Sequence, residues 1–378
     1  MLNKDKKFRH KKNLIFATIL LINIILSMRP IPSKSASVSL CDDPKSDLEQ
    51  LIKNIAPDKI FVLADEHTFR HCFNFIKDVK GVSAERTCRI NAGDDFKNIE
   101  SLSSVWRFLS ERGATRHSLL INLGGGMPCD LGGFAAATYK RGIPFINIPT
   151  TLLSMVDASV GGKTGINFNG FKNEIGAFRQ AEMVLIYTPF LNTLDQHNLL
   201  SGYAEMIKHA LIDKPEALDR LLKITLSDIS SDKLSALVAE SVLVKDRYVD
   251  SDPLEGGIRK ALNLGHTVGH AFESLSMKKG RPVLHGFAVA WGMIVELRMA
   301  ENKLGFPSSV RKKVEDYINK LYGFHPFGES DFEDLYALML HDKKNIGERI
   351  NFTLLDKVGE PVINVDCSKE EIKTALSL

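Results

Sequence analysis

The stretch from Ser118 to Asn173 limits what this chain can fold into more than any other. Ser118-Leu119-Leu120-Ile121-Asn122-Leu123 is an apolar run that fits a buried strand, and it delivers the chain into Gly124-Gly125-Gly126. Asp130, followed by Leu131, Phe134 and Ala135 to Ala137, then reads as the start of a helix. Glycines at a strand-to-helix junction let backbone N–H groups approach a pyrophosphate where the helix terminus favours negative charge. A tight turn in an ordinary α/β domain would explain a lone glycine triplet equally well. This triplet has company. Pro144 to Ile148 is a second apolar strand ending in Pro149-Thr150-Thr151, and Asp157 precedes a second glycine turn, Gly161-Gly162-Lys163. Two glycine turns, two hydroxyls, an aspartate and two lysines (Lys163 and Lys172) within about fifty residues suit a phosphate-bearing ligand on a dinucleotide.

The rest of the chain divides around this stretch. Lys59 to Ala64 is a short strand ending at Asp65, a usual place for a ligand-facing residue. Gly93-Asp94-Asp95-Phe96-Lys97 precedes an amphipathic helix through Ile99, Leu102, Val105, Trp106 and Leu109. Strands alternating with helices up to about Tyr187 predict a mostly parallel, Rossmann-like sheet. After Thr193 long helical patterns take over: Leu199 to Leu211, Leu234 to Tyr248, Lys260 to Met277, His285 to Leu304, Ser308 to Leu321 and Phe332 to His341. Only Arg349 to Leu355 looks like a strand there. The expected organisation is an N-terminal extension (1–36), an α/β domain carrying the glycine turns (37–192) and an all-α domain (193–378).

Composition narrows the function. The formal net charge is +3, but residues 1–13 hold six basic side chains against one acid, a surplus of five that leaves the remainder at about −2. Nucleic-acid binding has no support from charge. The five cysteines are scattered, without metal spacing or a disulfide framework, which fits a reducing compartment. Residues 14–28 form an apolar run behind the basic head, followed by a Pro/Ser-rich stretch, the layout of a secretory signal. The run is short for a membrane span, which needs roughly twenty residues. We read residues 1–36 as an extension outside the fold, so a chain starting near Ser37 is expected to fold and work in the cytoplasm; secretion or membrane anchoring is the alternative.

Gly124 to Asp130, Arg141-Gly142, Pro149 to Leu153, Val156 to Thr164 and Lys172-Asn173-Glu174-Ile175-Gly176 form a long ordered series. In it the chain resembles the 3-dehydroquinate synthases, sugar phosphate cyclases of the shikimate pathway, and the resemblance runs from about Val38 to the C-terminus. Two places depart from the family pattern: Cys129 where glycine is common and Ala158 where serine is common. The resemblance implies NAD contacts from Asp65, Asp94, Lys97, Gly125, Gly126, Asp130, Thr150, Thr151, Asp157, Lys163, Lys172 and Thr193. Asp94 there is shorter than the family's usual glutamate.

The helical half carries Glu205, His266, His270 and His285. His266 and His270 are four apart and would share a helix face. One carboxylate with two imidazoles leaves an open position on a zinc-type ion, as catalytic sites require. Spacing alone would pair His266 with His270. The resemblance instead implies Glu205, His266 and His285 as ligands to a zinc or cobalt ion, with His270 turned to substrate. It further implies catalytic roles for Lys163, Lys208, Lys245, Arg259 and Asn263, and substrate contacts from Arg141, Asn173 and one of Lys343 or Lys344. Arg259 is expected to hold a substrate carboxylate, stacked with Asn263 and His266 along one helix face.

The activity implied is conversion of 3-deoxy-arabino-heptulosonate 7-phosphate to 3-dehydroquinate and phosphate. NAD+ would oxidise the C4 alcohol with help from the metal, phosphate would be eliminated, NADH would return the hydride, and an intramolecular aldol would close the ring. A cytoplasmic homodimer is the assembly expected. Three alternatives stay open: a cyclase of the 2-deoxy-scyllo-inosose or 2-epi-5-epi-valiolone synthase type, a metal-dependent glycerol-type alcohol dehydrogenase, and a membrane-tethered, catalytically idle binding protein.

Overall fold

The computed structural model describes residues 28–33, 37–169, 171–226, 229–340 and 350–376. The signal-like run through Ser27 and the Lys343/Lys344 pair lie outside the described residues.

The N-terminal half runs β1 (Met28–Ile31), β2 (Val38–Cys41), α1 (Pro44–Ile55), β3 (Ile60–Asp65), α2 (Glu66–Cys72), β4 (Thr87–Ile90), α3 (Ile99–Glu111), β5 (Leu119–Gly124), α4 (Gly126–Thr138), β6 (Phe145–Pro149), β7 (Lys163–Phe168), β8 (Phe171–Phe178) and β9 (Met183–Ile186). Seven of these strands make one sheet in the order β1-β2-β9-β6-β5-β3-β4. Every pairing in it is parallel except β1 with β2. The central strands are buried on both faces, which is why they read as continuous apolar runs and not as alternating ones. Phe61, Leu63, Leu120 and Phe145 pack with Leu102, Val105, Leu131 and Phe134 of α3 and α4. Val62, Ala64, Ile121, Leu123 and Ile146 face the other way, into a core that continues into the C-terminal half.

That half contains α5 (Gln196–Asp213), α6 (Pro215–Leu221), α7 (Ser231–Ser251), α8 (His266–Lys278), α9 (His285–Leu304), α10 (Ser308–Tyr322), α11 (Phe332–Leu340), β10 (Asn351–Lys357), β11 (Glu360–Asp366) and α12 (Lys369–Leu376). The mostly parallel sheet and the helical second half are as the sequence predicts. The second half is not purely helical, however, because β10 and β11 form an antiparallel hairpin. β11 escapes a sequence reading because its inward-leaning side chains are modest and Pro361 and Asn364 interrupt its apolar character. β7 and β8 form a second hairpin, apart from the main sheet, which a simple alternation of strand and helix does not foresee.

The boundary of the extension also needs correction. Residues 28–31, assigned above to a segment outside the fold, form the sheet's edge strand, with Ile31 buried in the core. Pro30 sits there without harm because an edge strand has one side free of ladder bonds. Ser33 reaches Asp246 of α7, its hydroxyl 2.6 Å from the carboxylate. A chain beginning at Met28 is therefore expected to melt with the full-length protein, and one beginning at Ser37 to be less stable. Burying an Ile side chain is worth about 1.5–3 kcal/mol. Equal melting of all three chains would show that β1 contributes nothing.

Among the described residues no helix is long and apolar enough to cross a membrane. All five cysteines are buried and unpaired. Burial pushes the thiol of Cys88 up to about 11 and those of Cys72 and Cys367 up to about 12, so they stay protonated.

Candidate active site

Helix α5 runs through the core, with every residue from Leu200 to Ile212 buried. Its Glu205 and Lys208 are charged groups in that setting, one turn apart and ion-paired. Two glycine contacts bring neighbours onto them. A Cβ at Gly202 would lie 2.3 Å from Leu153 N, so α5 can press against the segment after β6 only with glycine there. A Cβ at Gly286 would lie 1.9 Å from Ser201 O, and the Gly286 N–H donates to Ser201 Oγ at 3.0 Å. That contact seats the first turn of α9, and so His285, beside Glu205.

His266 arrives by a different device. The predicted helix from Lys260 does not form as one element: residues Ile258–Asn263 make a 3-10 helix, Leu264 is non-helical, and Gly265 has φ +80°. Only then does α8 begin. Arg259, Asn263 and His266 therefore do not stack on one helix face. The start of α8 is capped from outside by the buried Glu296 of α9, which accepts from Gly265 N at 2.5 Å and Val268 N at 3.3 Å.

The result is a cluster. Glu205 Oε1 lies 3.5 Å from His266 Nε2 and 3.4 Å from His285 Nε2. His270 stands near both rings, 5.4 Å from His266 and 6.0 Å from His285 between centroids. Burial opposes ionisation of Glu205, but Lys208, His266 and His285 outweigh it and hold the carboxyl well below the usual range. Burial keeps the His266 imidazole neutral. Glu205 Oε2 is ion-paired with Lys208, while Oε1 is buried and faces both imidazoles with no hydrogen bond of its own. A buried carboxylate oxygen without a hydrogen bond, facing two imidazole nitrogens, belongs to a donor set that fits a zinc-type ion. Asp157, Glu205 and His209 also converge. There Asp157 is already engaged by Lys245, so this second group reads as part of an ion-pair network.

Lys208, Lys245, Lys163 and Arg259 gather around this cluster, the lysines each opposed by an acid and the arginine by backbone oxygens. Lys245 Nζ lies 2.7 Å from both the backbone oxygen and Oδ1 of Asp157. Burial disfavours the Asp157 carboxylate, yet Lys245 and Lys208 keep it ionised far below the usual range. Lys163, at the start of β7, pairs with Glu255, which also accepts from Asn263 Nδ2 at 3.1 Å. Arg259 is 1% exposed and donates from Nη1 to Pro253 O at 2.7 Å and from Nη2 to Gly161 O at 2.9 Å. Its fork thus clamps the second glycine turn, and its Nε is buried without a partner.

On the other side lie the expected nucleotide residues. Gly125 opens α4, with Thr151 against it: a Cβ there would be 3.2 Å from Thr151 Cγ2. A Cβ on Gly126 would touch Ala158 at 3.2 Å, and Cys129 is buried under the same turn, so both departures from the family pattern are small groups packed beneath the glycines. Thr150 N–H donates to Gly124 O at 2.9 Å, closing β6 onto β5. The buried Lys97 joins Asp130 and Asn173, and Lys172 joins Asp94 and Glu273. Asp65 spends its carboxylate on capping α2, accepting from Thr68 N and Oγ1 at 2.8 Å each. Thr193 is exposed and bonds Phe190 O within its own turn. Arg141 is exposed beyond the far end of α4, about 20 Å along that helix from the glycine turn at 1.5 Å per residue. The structure therefore gathers most predicted residues; the contact given for Thr193 stays within its own turn, and Arg141 lies past the far end of α4.

The pattern for the 3-dehydroquinate synthase N-terminal region matches residues 87–201, and that for the C-terminal region matches residues 202–345. The 3-dehydroquinate synthase of Parabacteroides distasonis is 50% identical over 339 residues, covering 90% of this chain and 96% of the relative. The chain belongs to the 3-dehydroquinate synthase family. Among solved structures, a 2-deoxy-scyllo-inosose synthase complexed with carbaglucose-6-phosphate, NAD+ and Co2+ superposes with a TM-score of 0.78 at 20% identity, covering 92% of this chain and 98% of that one. A 2-epi-5-epi-valiolone synthase from Streptomyces hygroscopicus with NAD+ and Zn2+ gives 0.77 at 23% identity, covering 91% and 96%. These two share the fold.

For a 3-dehydroquinate synthase family member, the residues that sequence reasoning overlooked are the acids: Glu255, Glu273 and Glu296. A carboxylate within a helical pattern looks like a solvated face. The available signal was position, since Glu273 lies seven residues after His266 and on the same helical face.

Proposed function

We propose that this protein is a 3-dehydroquinate synthase, converting 3-deoxy-D-arabino-heptulosonate 7-phosphate to 3-dehydroquinate and phosphate. The observation that carries this reading is the convergence of Glu205, His266 and His285 beside the buried cations Lys208 and Lys245, in a chain 50% identical to the synthase of Parabacteroides distasonis. When bound, NAD supplies a reversible hydride acceptor and a divalent metal at Glu205, His266 and His285 supplies a Lewis acid. The chain's own residues bind and orient. Lys163, Lys208, Lys245 and Arg259 provide positive charge for a substrate bearing both phosphate and carboxylate; acids keep the three lysines in place before substrate arrives, and backbone oxygens hold the arginine. His270 and Asn263 line the approach beside the histidine cluster. Gly125, Gly126, Thr151, Asp130, Lys97 and Asp157 form the nucleotide side. Pre-set orientation of several charges is the main source of rate such a site can offer.

The working form is proposed to be a cytoplasmic homodimer. The test is direct: with NAD and zinc present, the heptulosonate phosphate should release phosphate with no net change in NADH absorbance. Net NADH production would point to an alcohol dehydrogenase. Faster turnover of glucose 6-phosphate or sedoheptulose 7-phosphate would point to another cyclase, and no turnover of any substrate to a binding protein.

A further inference from the structure

His285 stands between two carboxylates. Its Nε2 faces Glu205 Oε1 and its Nδ1 faces Glu273 Oε2, each at 3.4 Å. An imidazole can ligate through Nε2 only if that nitrogen carries no proton. A donor bond from Nδ1–H to a carboxylate selects that tautomer and fixes the ring plane. Glu273 is built for such a task. It is 3% exposed, and its other oxygen is paired with Lys172 of the β7–β8 hairpin. Lys172 in turn lies 2.9 Å from Asp94 Oδ2, in the 3-10 turn Asp94–Phe96 that precedes α3. A continuous line of charged contacts therefore runs from the α/β half, through Asp94, Lys172 and Glu273, to His285 and Glu205.

We propose that Glu273 is the positioning residue for His285, and that Lys172 ties its orientation to the α/β half. The inference rests on the reading of Glu205, His266 and His285 as metal ligands. It also reassigns Lys172: with its ammonium held by two acids, its task is to brace Glu273 and not to meet the nucleotide alone. A merely structural ion pair between the two halves would affect melting and leave the metal affinity of the folded protein unchanged. A positioning residue must change that affinity.

The experiment is zinc titration of the full-length apoprotein against a fluorescent chelator, read without turnover. Glu273→Ala should weaken zinc binding about ten- to a hundredfold, the range found when an outer partner of a ligand histidine is removed. Glu273→Gln, which keeps an acceptor for Nδ1–H but loses the charge, should fall between it and the parent, and it stands in if the alanine variant does not fold. Lys172→Met should weaken zinc binding in the parent but have no further effect once Glu273 is replaced. Parent-like zinc affinity in the Glu273 variants would overturn the positioning role. An equal Lys172→Met effect in both backgrounds would overturn the link. If the parent itself takes up no zinc, the metal reading falls, and this inference with it.

Discussion

His266→Ala should abolish turnover while leaving a folded protein. The expected loss is about a thousandfold or more, because a Lewis acid is worth several kcal/mol of transition-state charge stabilisation and each 1.4 kcal/mol is a factor of ten. The fold should survive because His266 is the first residue of α8, and the start of that helix is held by Gly265 and the Glu296 cap, not by the imidazole. Metal analysis of the purified variant decides the matter. Zinc retained in full would mean that His266 is not a ligand. Zinc lost with full activity would mean that the reaction does not need the site.

Arg259→Lys should lose roughly ten- to a hundredfold in kcat/KM for the heptulosonate phosphate and should also lower stability. An ammonium cannot offer two parallel N–H bonds to a carboxylate, and each bond from a charged donor is worth about 1.5–3 kcal/mol. The structure adds the second half of this prediction. In the free protein the guanidinium already donates to Pro253 O and Gly161 O, holding the second glycine turn against the helical half. A lysine can keep one of those bonds, so a stability loss of about 1.5–3 kcal/mol follows. Affinity for zinc should hardly change. Unchanged melting would sink the clamp. Unchanged kcat/KM on the acid, or a wild-type preference for sedoheptulose 7-phosphate, which lacks a carboxylate, would sink the substrate role.

Much of this protein was legible in the order of its residues. β5 and β6 read as apolar runs and are buried strands, and α9 begins and ends at the residues its periodicity predicts, His285 and Leu304, while α4 opens at Gly126, a turn before the expected start at Asp130. Such elements are local: buried strands need apolar runs and helices need a repeating apolar stripe, so one short window contains the whole signal. The glycine turns and the Glu205, His266 and His285 set were legible as well, though only as an ordered series of motifs, since spacing favours His270 over His285.

What tertiary structure alone decided is where charges end up when opposite ends of the chain meet. Leu264 and Gly265 break a helix whose apolar pattern runs straight through them, because the Gly265 backbone packs against α9, where a Cβ would lie 2.8 Å from Val289 O, and a distant Glu296 caps the new start. β1 looks like the tail of a leader but pairs with β2, since an edge strand needs only one partner and few apolar side chains. Glu255 and Glu273 look solvated in sequence yet are held among lysines supplied from β7 and β8, far earlier in the chain. No local window contains both members of those pairs. A buried charge is tolerable only when its partner is brought to it, and that partner comes from the fold.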